Sequence, residues 1–374
     1  MNQEDLLTPR QFFLITFFFI MGSAILFIPS IMAATAKNDA WLATILGVIL
    51  GLVLNWFYYK MYLHFQGKNL VEIFDDTFGK WIGKFCTINL IIFLIYLNSM
   101  IIRGIGDFLS TQFLKETPME VSILLLICIV IYGYRQGITN IGRSIEVFLP
   151  TMVILYLLGV VLVTPKSDFT KLLPLLENGV KPLLNGAFSI FNFPFTEMVI
   201  LLMIIPFVSD QKNLKKPLLL GTLLGGAGLF FPVFFGITVF GPDLLANQVY
   251  ATYTLAKKLE IPHVFERIEV ILAIIWLLSI YYKVQICYFV LIRCVKYLFS
   301  LEDESKILLP VGWTLFGSSM ELADTNVYFF TFNAAIWPFY AMTFGLALPI
   351  LIFFVSSFKA KITKKRGMKQ NDKN

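Results

Sequence analysis

The chain has 374 residues, 57% of them hydrophobic and 14% charged, with a net charge of +6 and 38 Phe. Soluble domains carry roughly 25% charged residues, so an ordinary soluble fold is excluded. The excess positive charge sits in short loops and a basic tail, which does not suit a nucleic-acid surface. The apolar stretches are long runs without every-second-residue alternation, which argues against a β-barrel.

Runs of this length exceed the roughly 20 residues that cross the hydrocarbon of a bilayer. They predict ten spans, at about 10–36, 40–63, 81–113, 119–136, 143–164, 183–207, 216–241, 266–298, 306–322 and 331–357. The start lacks a basic region and a small-residue cleavage site, so the first run is expected to remain as a spanning helix. Thr8-Pro9-Arg10-Gln11 reads as a capping box with proline at the first helical position, and Thr117-Pro118-Met119-Glu120 repeats the device before the fourth span. Asn69-Leu70-Val71-Glu72 has the same form and predicts a short helix between spans two and three. Gly47–Gly51 and Gly221–Gly225 are small-xxx-small spacings that mark close helix packing. The stretch Leu244–Leu259 has helical spacing and is expected as one loop helix, either ordinary or lying over the outer mouth. Pro310, Gly312 and Gly317 are expected to interrupt the ninth span.

Lys and Arg accumulate in short loops on one side, among them Arg10, Lys68, Lys80, Arg135, Lys212 and Lys296, joined by the tail over 358–374. The other side holds fewer, among them Lys37, Lys115, Lys166 and Lys257. The bias places both termini in the cytoplasm. The tail is a topology anchor or a contact for anionic membrane lipid.

Two spans are interrupted at matching places. The first reads Met21-Gly22-Ser23-Ala24-Ile25-Leu26-Phe27-Ile28-Pro29 and the second Phe191-Asn192-Phe193-Pro194-Phe195-Thr196-Glu197. Pro29 removes the donor for the Ile25 carbonyl and Pro194 the donor for that of Ile190. Backbone left free in this way survives in a membrane only when buried in protein or lining a polar cavity. A pair of such breaks in corresponding positions points to a small-molecule site at the midplane. The breaks fall in spans one and six, the pattern of an all-α, polytopic, five-plus-five inverted repeat with halves at about 10–164 and 183–357 inside one domain over 1–357. Half-helix N-termini suit a carboxylate and half-helix C-termini an ammonium, so one zwitterion can bridge both.

Charged residues within spans are candidates for function. Glu197 follows the second break and can hold a substrate amine, pair with a base or take up a proton. Lys283, near the centre of span eight, can take the place of a cation beside Gly22, carry a proton, or pair with Glu197 or Asp107. Arg103 and Asp107 stand four apart on one face of span three, where pairing with each other supports a structural or gating role. Glu266, Arg267 and Glu269 read as an interfacial charge group. Phe27, Phe93, Tyr96, Phe191, Phe193 and Phe195 are candidates to line an apolar side-chain pocket.

Cys86, Cys128, Cys287 and Cys294 have no metal spacing, and the two histidines, His64 and His263, form no cluster, so neither metal nor cofactor is expected. The chain carries no phosphate loop or HExxH, and no Ser-His-Asp set is plausible.

Together these residues resemble the permease-like, B-type subunit of spore germinant receptors, within the amino acid/polyamine/organocation transporter superfamily. The resemblance rests on Gln11, the Gly22-Ser23 break with Pro29, Asp39-Ala40-Trp41-Leu42, Gly79-Lys80-Trp81-Ile82-Gly83, Arg103, Pro174-Leu175-Leu176 with Gly179, Phe195-Thr196-Glu197-Met198, Pro206, and Phe265-Glu266-Arg267-Ile268-Glu269 with Trp276. It implies a multi-pass protein of the spore inner membrane that binds a small nutrient, often an amino acid. It also implies partnership with a larger membrane subunit and a lipoprotein subunit, with germination signalling as output. The pocket implied by the resemblance lies between spans one, three, six and eight, at Gly22, Ser23, Phe93, Leu97, Phe193 and Glu197; Ala24 and Asn192 at the breaks are further candidates for substrate binding, and Lys283, Arg103 and Asp107 are candidates for coupling or gating. A proton-coupled amino-acid permease needs the same pocket and is the competing reading. An ion channel formed with partner chains is a third.

Overall fold

The computed structural model describes residues 6–259, 268–322 and 336–371. Among these, the backbone is helical apart from turns and one isolated bridge between Leu7 and Val208. His263, Glu266 and Arg267 lie outside the described residues.

Among the described residues, seven helical stretches are long and apolar enough to cross a membrane: Ala24–His64, Lys80–Gln112, Ile138–Lys166, Val180–Met203, Lys215–Phe240, Ala273–Phe299 and Trp337–Lys359. The chain is therefore an all-helical polytopic membrane protein. Ala24–His64 holds two helices parted by a turn at Lys37–Asp39, and Pro9–Met21 is a shorter apolar helix. The expected fourth and ninth spans are occupied by helices of 17 residues each.

In chain order the helices are α1 (Pro9–Met21), α2 (Ala24–Ala36), α3 (Ala40–His64), α4 (Leu70–Phe78), α5 (Lys80–Gln112), α6 (Met119–Arg135), α7 (Ile138–Val163) and α8 (Val180–Ile190). They continue as α9 (Lys215–Phe240), α10 (Pro242–Ala246), α11 (Ala251–Lys257), α12 (Ile268–Phe299), α13 (Ser305–Glu321), α14 (Trp337–Met342) and α15 (Leu348–Asn371). Helix α1 lies between α9 and α12, α3 packs on α8 and α9, and α12 packs on α5.

Local chemistry explains several ends. Thr8 accepts from the Gln11 amide at 3.2 Å while the Gln11 side chain accepts from the Thr8 amide at 3.0 Å, closing the capping box on α1. Asn69 and Glu72 do the same for α4. The box expected at Thr117 does not form. Pro118 is itself the N-cap of α6, and the Thr117 amide closes a turn onto the Leu114 carbonyl. Helix α13 runs unbroken through Pro310, in contrast to the interruption expected there; a Cβ at its Gly312 would stand 2.7 Å from Ile131 of α6. The stretch 242–259 is two short helices instead of one, separated at Asn247–Tyr250, and α11 is mostly buried.

The glycine spacings do mark close approach. A Cβ on Gly221 would meet Thr16 at 2.7 Å and the Phe13 carbonyl at 2.8 Å, and one on Gly225 would meet Ile20 at 2.9 Å. Gly47 faces Ile190 and Gly51 faces the Phe195 ring. These four glycines bring α3 and α9 against the two interrupted segments.

The ends of those segments are tied at one face. The Leu7 amide donates to the Phe207 carbonyl at 2.8 Å and the Ser209 amide to the Leu7 carbonyl at 2.9 Å. The first segment begins where the sixth ends, so the two run in opposite directions.

Candidate functional site

Both interruptions are present. Helix α1 stops at Met21 and α2 starts at Ala24, leaving Gly22 and Ser23 between them. The break is tighter than the sequence suggests, because Pro29 lies inside a continuous α2. The reason is visible at Ile25, whose carbonyl loses its helical donor to Pro29 but accepts from the Thr252 hydroxyl of α11 at 2.5 Å. Pro232 in α9 likewise frees the Gly228 carbonyl, which accepts from the Tyr156 hydroxyl at 2.6 Å. Main-chain groups left open by proline thus find partners inside the protein, as a lipid surround requires.

The second interruption is wider. Helix α8 ends at Ile190, a π-turn covers Phe191–Phe195, and Phe193 leaves helical geometry at φ −126° and ψ 106°. A 3₁₀ stretch then runs over Thr196–Met203. Such a length is unusual for 3₁₀ geometry and is the kind of segment found at hinges. The Tyr58 hydroxyl donates to the Gly345 carbonyl in a third irregular stretch and lies 3.4 Å from the Thr196 carbonyl.

Between the two breaks lies an ion pair. Lys283 Nζ of α12 donates to Glu197 Oε2 at 2.6 Å, and both side chains are fully buried. The same ammonium is 3.5 Å from Ser23 Oγ, at the outer limit of a hydrogen bond. It lies 4.9 Å from the Phe19 ring centre and 5.0 Å from that of Phe193, within cation–π range. The other carboxylate oxygen of Glu197 accepts from the Trp337 indole N–H at 3.0 Å. Gly22 makes the arrangement possible. A Cβ there would stand 2.6 Å from Lys283 Cδ and 3.0 Å from its Cβ, so the lysine stem crosses the space that a side chain would fill. Of the roles open to it, Lys283 takes the pairing with Glu197, and this pair lies between the two breaks.

The aromatic wall is connected to the pair. Phe93 of α5 is fully buried and stacks on Trp337 with ring centres 5.3 Å apart, and on Phe344 at 4.8 Å. Tyr96 stacks on the same indole at 5.3 Å. Leu97 and Ala24 are fully buried. Asn192 donates to the Phe188 carbonyl at 2.8 Å, and its own side-chain carbonyl is buried with no partner among the described residues. Gly22, Ser23, Phe193, Glu197 and Lys283 thus meet directly, and Phe93 joins through Trp337.

Arg103 and Asp107 lie apart from this cluster and turn to different elements instead of to each other. Arg103 donates to the carbonyls of Ser319 and Met320 at 3.5 and 3.1 Å, fastening α5 to the end of α13. Asp107 accepts from the Tyr250 hydroxyl at 2.5 Å, fastening α5 to the linker before α11. Sequence reasoning missed Trp337, Phe19, Tyr250 and Thr252.

The sequence profile described as Spore germination protein matches residues 6–327, most of the chain. The chain belongs to the spore germination protein family. Relatives within this family agree in extent. Spore germination protein KB of Bacillus subtilis (strain 168) is 26% identical over 360 residues, 95% of this chain and 96% of its own length. Spore germination protein YndE of the same organism is 24% identical over 367 residues, 97% and 98% of the two chains. Spore germination protein XB of Bacillus anthracis is 21% identical over 340 residues, 90% and 94%. The family profile spans both breaks, Arg103, Asp107 and Lys283, and stops short of Trp337.

Proposed function

We propose that this chain is the nutrient-sensing subunit of a spore germinant receptor, and that a small zwitterion such as an amino acid binds between the Gly22–Ala24 and Asn192–Glu197 breaks. The observation that carries this reading is the buried Lys283–Glu197 pair, which joins the two interruptions. A ligand entering here meets a cation, an anion and the positive N-terminal end of α2. Its carboxylate takes Lys283 and the start of α2, and its ammonium takes Glu197, so one internal pair becomes two. A singly charged ligand would leave one buried charge unmatched, which costs about 3–5 kcal/mol. Phe93, Leu97 and Phe193 supply the apolar wall for the side chain, and Asn192 offers its free carbonyl oxygen.

The pair holds the broken segments together in the unliganded state. Splitting it frees them to move, and a ligand that binds the split state better shifts the population. Arg103 and Asp107, anchored to α13 and the α11 linker, hold the outer half of α5 and gate access. The ten crossings, the five-plus-five inverted repeat and a cytoplasmic location for both termini belong to the same reading, supported by the opposed run of the two broken segments. So do residence in the spore inner membrane and assembly with a larger membrane subunit and a lipoprotein subunit.

Spores differing in this chain alone, screened against a panel of nutrients, are expected to differ in which nutrient triggers germination. An unchanged nutrient profile would contradict the assignment. A proton-coupled permease would instead show pH-gradient-dependent uptake of labelled amino acid into proteoliposomes holding this chain alone, and that result would replace the sensor reading.

A further inference from the structure

A cavity of about 650 Å³ opens at the face where the first segment begins. Lys80 and Lys84 of α5 and Arg293 and Lys296 of α12 line it, with Asp75 of α4 as the one lining carboxylate. We propose that this cavity binds the phosphate group of an anionic membrane phospholipid.

The charges of the cavity are unevenly occupied. Asp75 accepts from the Tyr297 hydroxyl at 2.6 Å. Glu304 lies 3.3 Å from both Arg293 and Lys296 and offsets part of their charge. Lys80 and Lys84 have no ion-pair partner among the described residues, and four cations face two carboxylates. Arg293 packs against the edge-to-face pair of Phe207 and Phe289, 5.0 and 5.1 Å from the two ring centres, which fixes its guanidinium. Its Nε is buried and lacks a hydrogen-bond partner among the described residues. A planar donor of this kind matches phosphate oxygens well.

The surroundings favour a lipid as the source of that phosphate. Trp81 and Phe85 alternate with the two lysines on the first turns of α5 and are 90% and 66% exposed, followed by exposed Ile88. Aromatic residues beside lysines mark the level of lipid headgroups, and basic pockets between membrane helices hold anionic headgroups. The headgroup phosphate sits among Lys80, Lys84 and Arg293, and the acyl chains run down the apolar outer face of α5.

The test uses the full chain in nanodiscs of dioleoylphosphatidylcholine alone, or in equal parts with dioleoylphosphatidylglycerol. The readouts are the gain in thermal midpoint between the two and the lipid adducts retained in native mass spectrometry. Phosphatidylglycerol is expected to raise the midpoint and to be retained. Lys80→Gln/Lys84→Gln is expected to weaken retention at least about tenfold, and Glu304→Gln to strengthen it by releasing Arg293 and Lys296. Reading the gain within each variant keeps the test valid if a variant is itself less stable. Equal gains for wild type and the double lysine variant would overturn the proposal. So would a rise with inorganic phosphate in pure phosphatidylcholine discs that equals the phosphatidylglycerol gain, since the source would then be a free anion.

Discussion

Removing the ammonium of Lys283 while keeping the bulk of its stem is the most informative perturbation of the broken-helix site. In Lys283→Met, Glu197 keeps the Trp337 indole N–H but loses the partner at 2.6 Å, in a site with no solvent exposure. Leaving one member of such a pair unmatched is expected to lower stability by about 3–5 kcal/mol. Adding Glu197→Gln removes the stranded charge while its amide oxygen still accepts from Trp337, so the double variant is expected to recover about 2–3 kcal/mol of that loss. The assay is reversible unfolding of the purified chain in detergent for wild type, both single variants and the double. If the single effects add to within about 0.5 kcal/mol, the two side chains do not interact and the account of the site fails. The direction matters as much as the size: the double variant must be more stable than Lys283→Met alone.

Other expectations follow from neighbouring contacts. Gly22→Leu drives a side chain into the Lys283 stem, and spores carrying it at normal protein level are expected to lose the response to nutrient; an unchanged dose response would count against the site. Trp337→Phe keeps the stack on Phe93 but withdraws the N–H from Glu197, and should lower stability by about 1–3 kcal/mol in the same unfolding assay; no change would show that the indole bond is not formed. Thr252→Val strands the Ile25 carbonyl beside Pro29 and should loosen the start of α2, seen as faster amide exchange there. Tyr156→Phe should do the same near Gly228 in α9, and protection equal to wild type in both would refute the role given to these hydroxyls.

Much of the fold could be read in the amino-acid sequence because lipid enforces simple rules. The expected ends at 81–113, 119–136 and 216–241 lie within a residue or two of Lys80–Gln112, Met119–Arg135 and Lys215–Phe240. Gly22-Ser23 and Phe193-Pro194 were legible as breaks because glycine and proline act on the local backbone. The reach of each break was not legible. Pro29 and Pro310 also remove donors, yet α2 and α13 continue, and at Pro29 the rescue comes from Thr252, more than two hundred positions away. Trp337 was hidden for a related reason. In a chain with 38 Phe and 6 Trp, nothing in the linear pattern separates an indole that meets a buried carboxylate from one that faces lipid. The expected pairing of Arg103 with Asp107 failed similarly, since shared helical spacing says nothing of the carbonyls at Ser319 and Met320 or the hydroxyl of Tyr250 that compete for them.

The most direct test of the central claim compares each germination-active amino acid with its decarboxylated and deaminated analogues in spores carrying this chain. Dose response is followed by loss of optical density. Exchange of the Lys283–Glu197 pair for a zwitterion predicts that both analogues lose at least about a hundredfold in potency. An amine or acid that germinates these spores as well as its parent amino acid would contradict the claim.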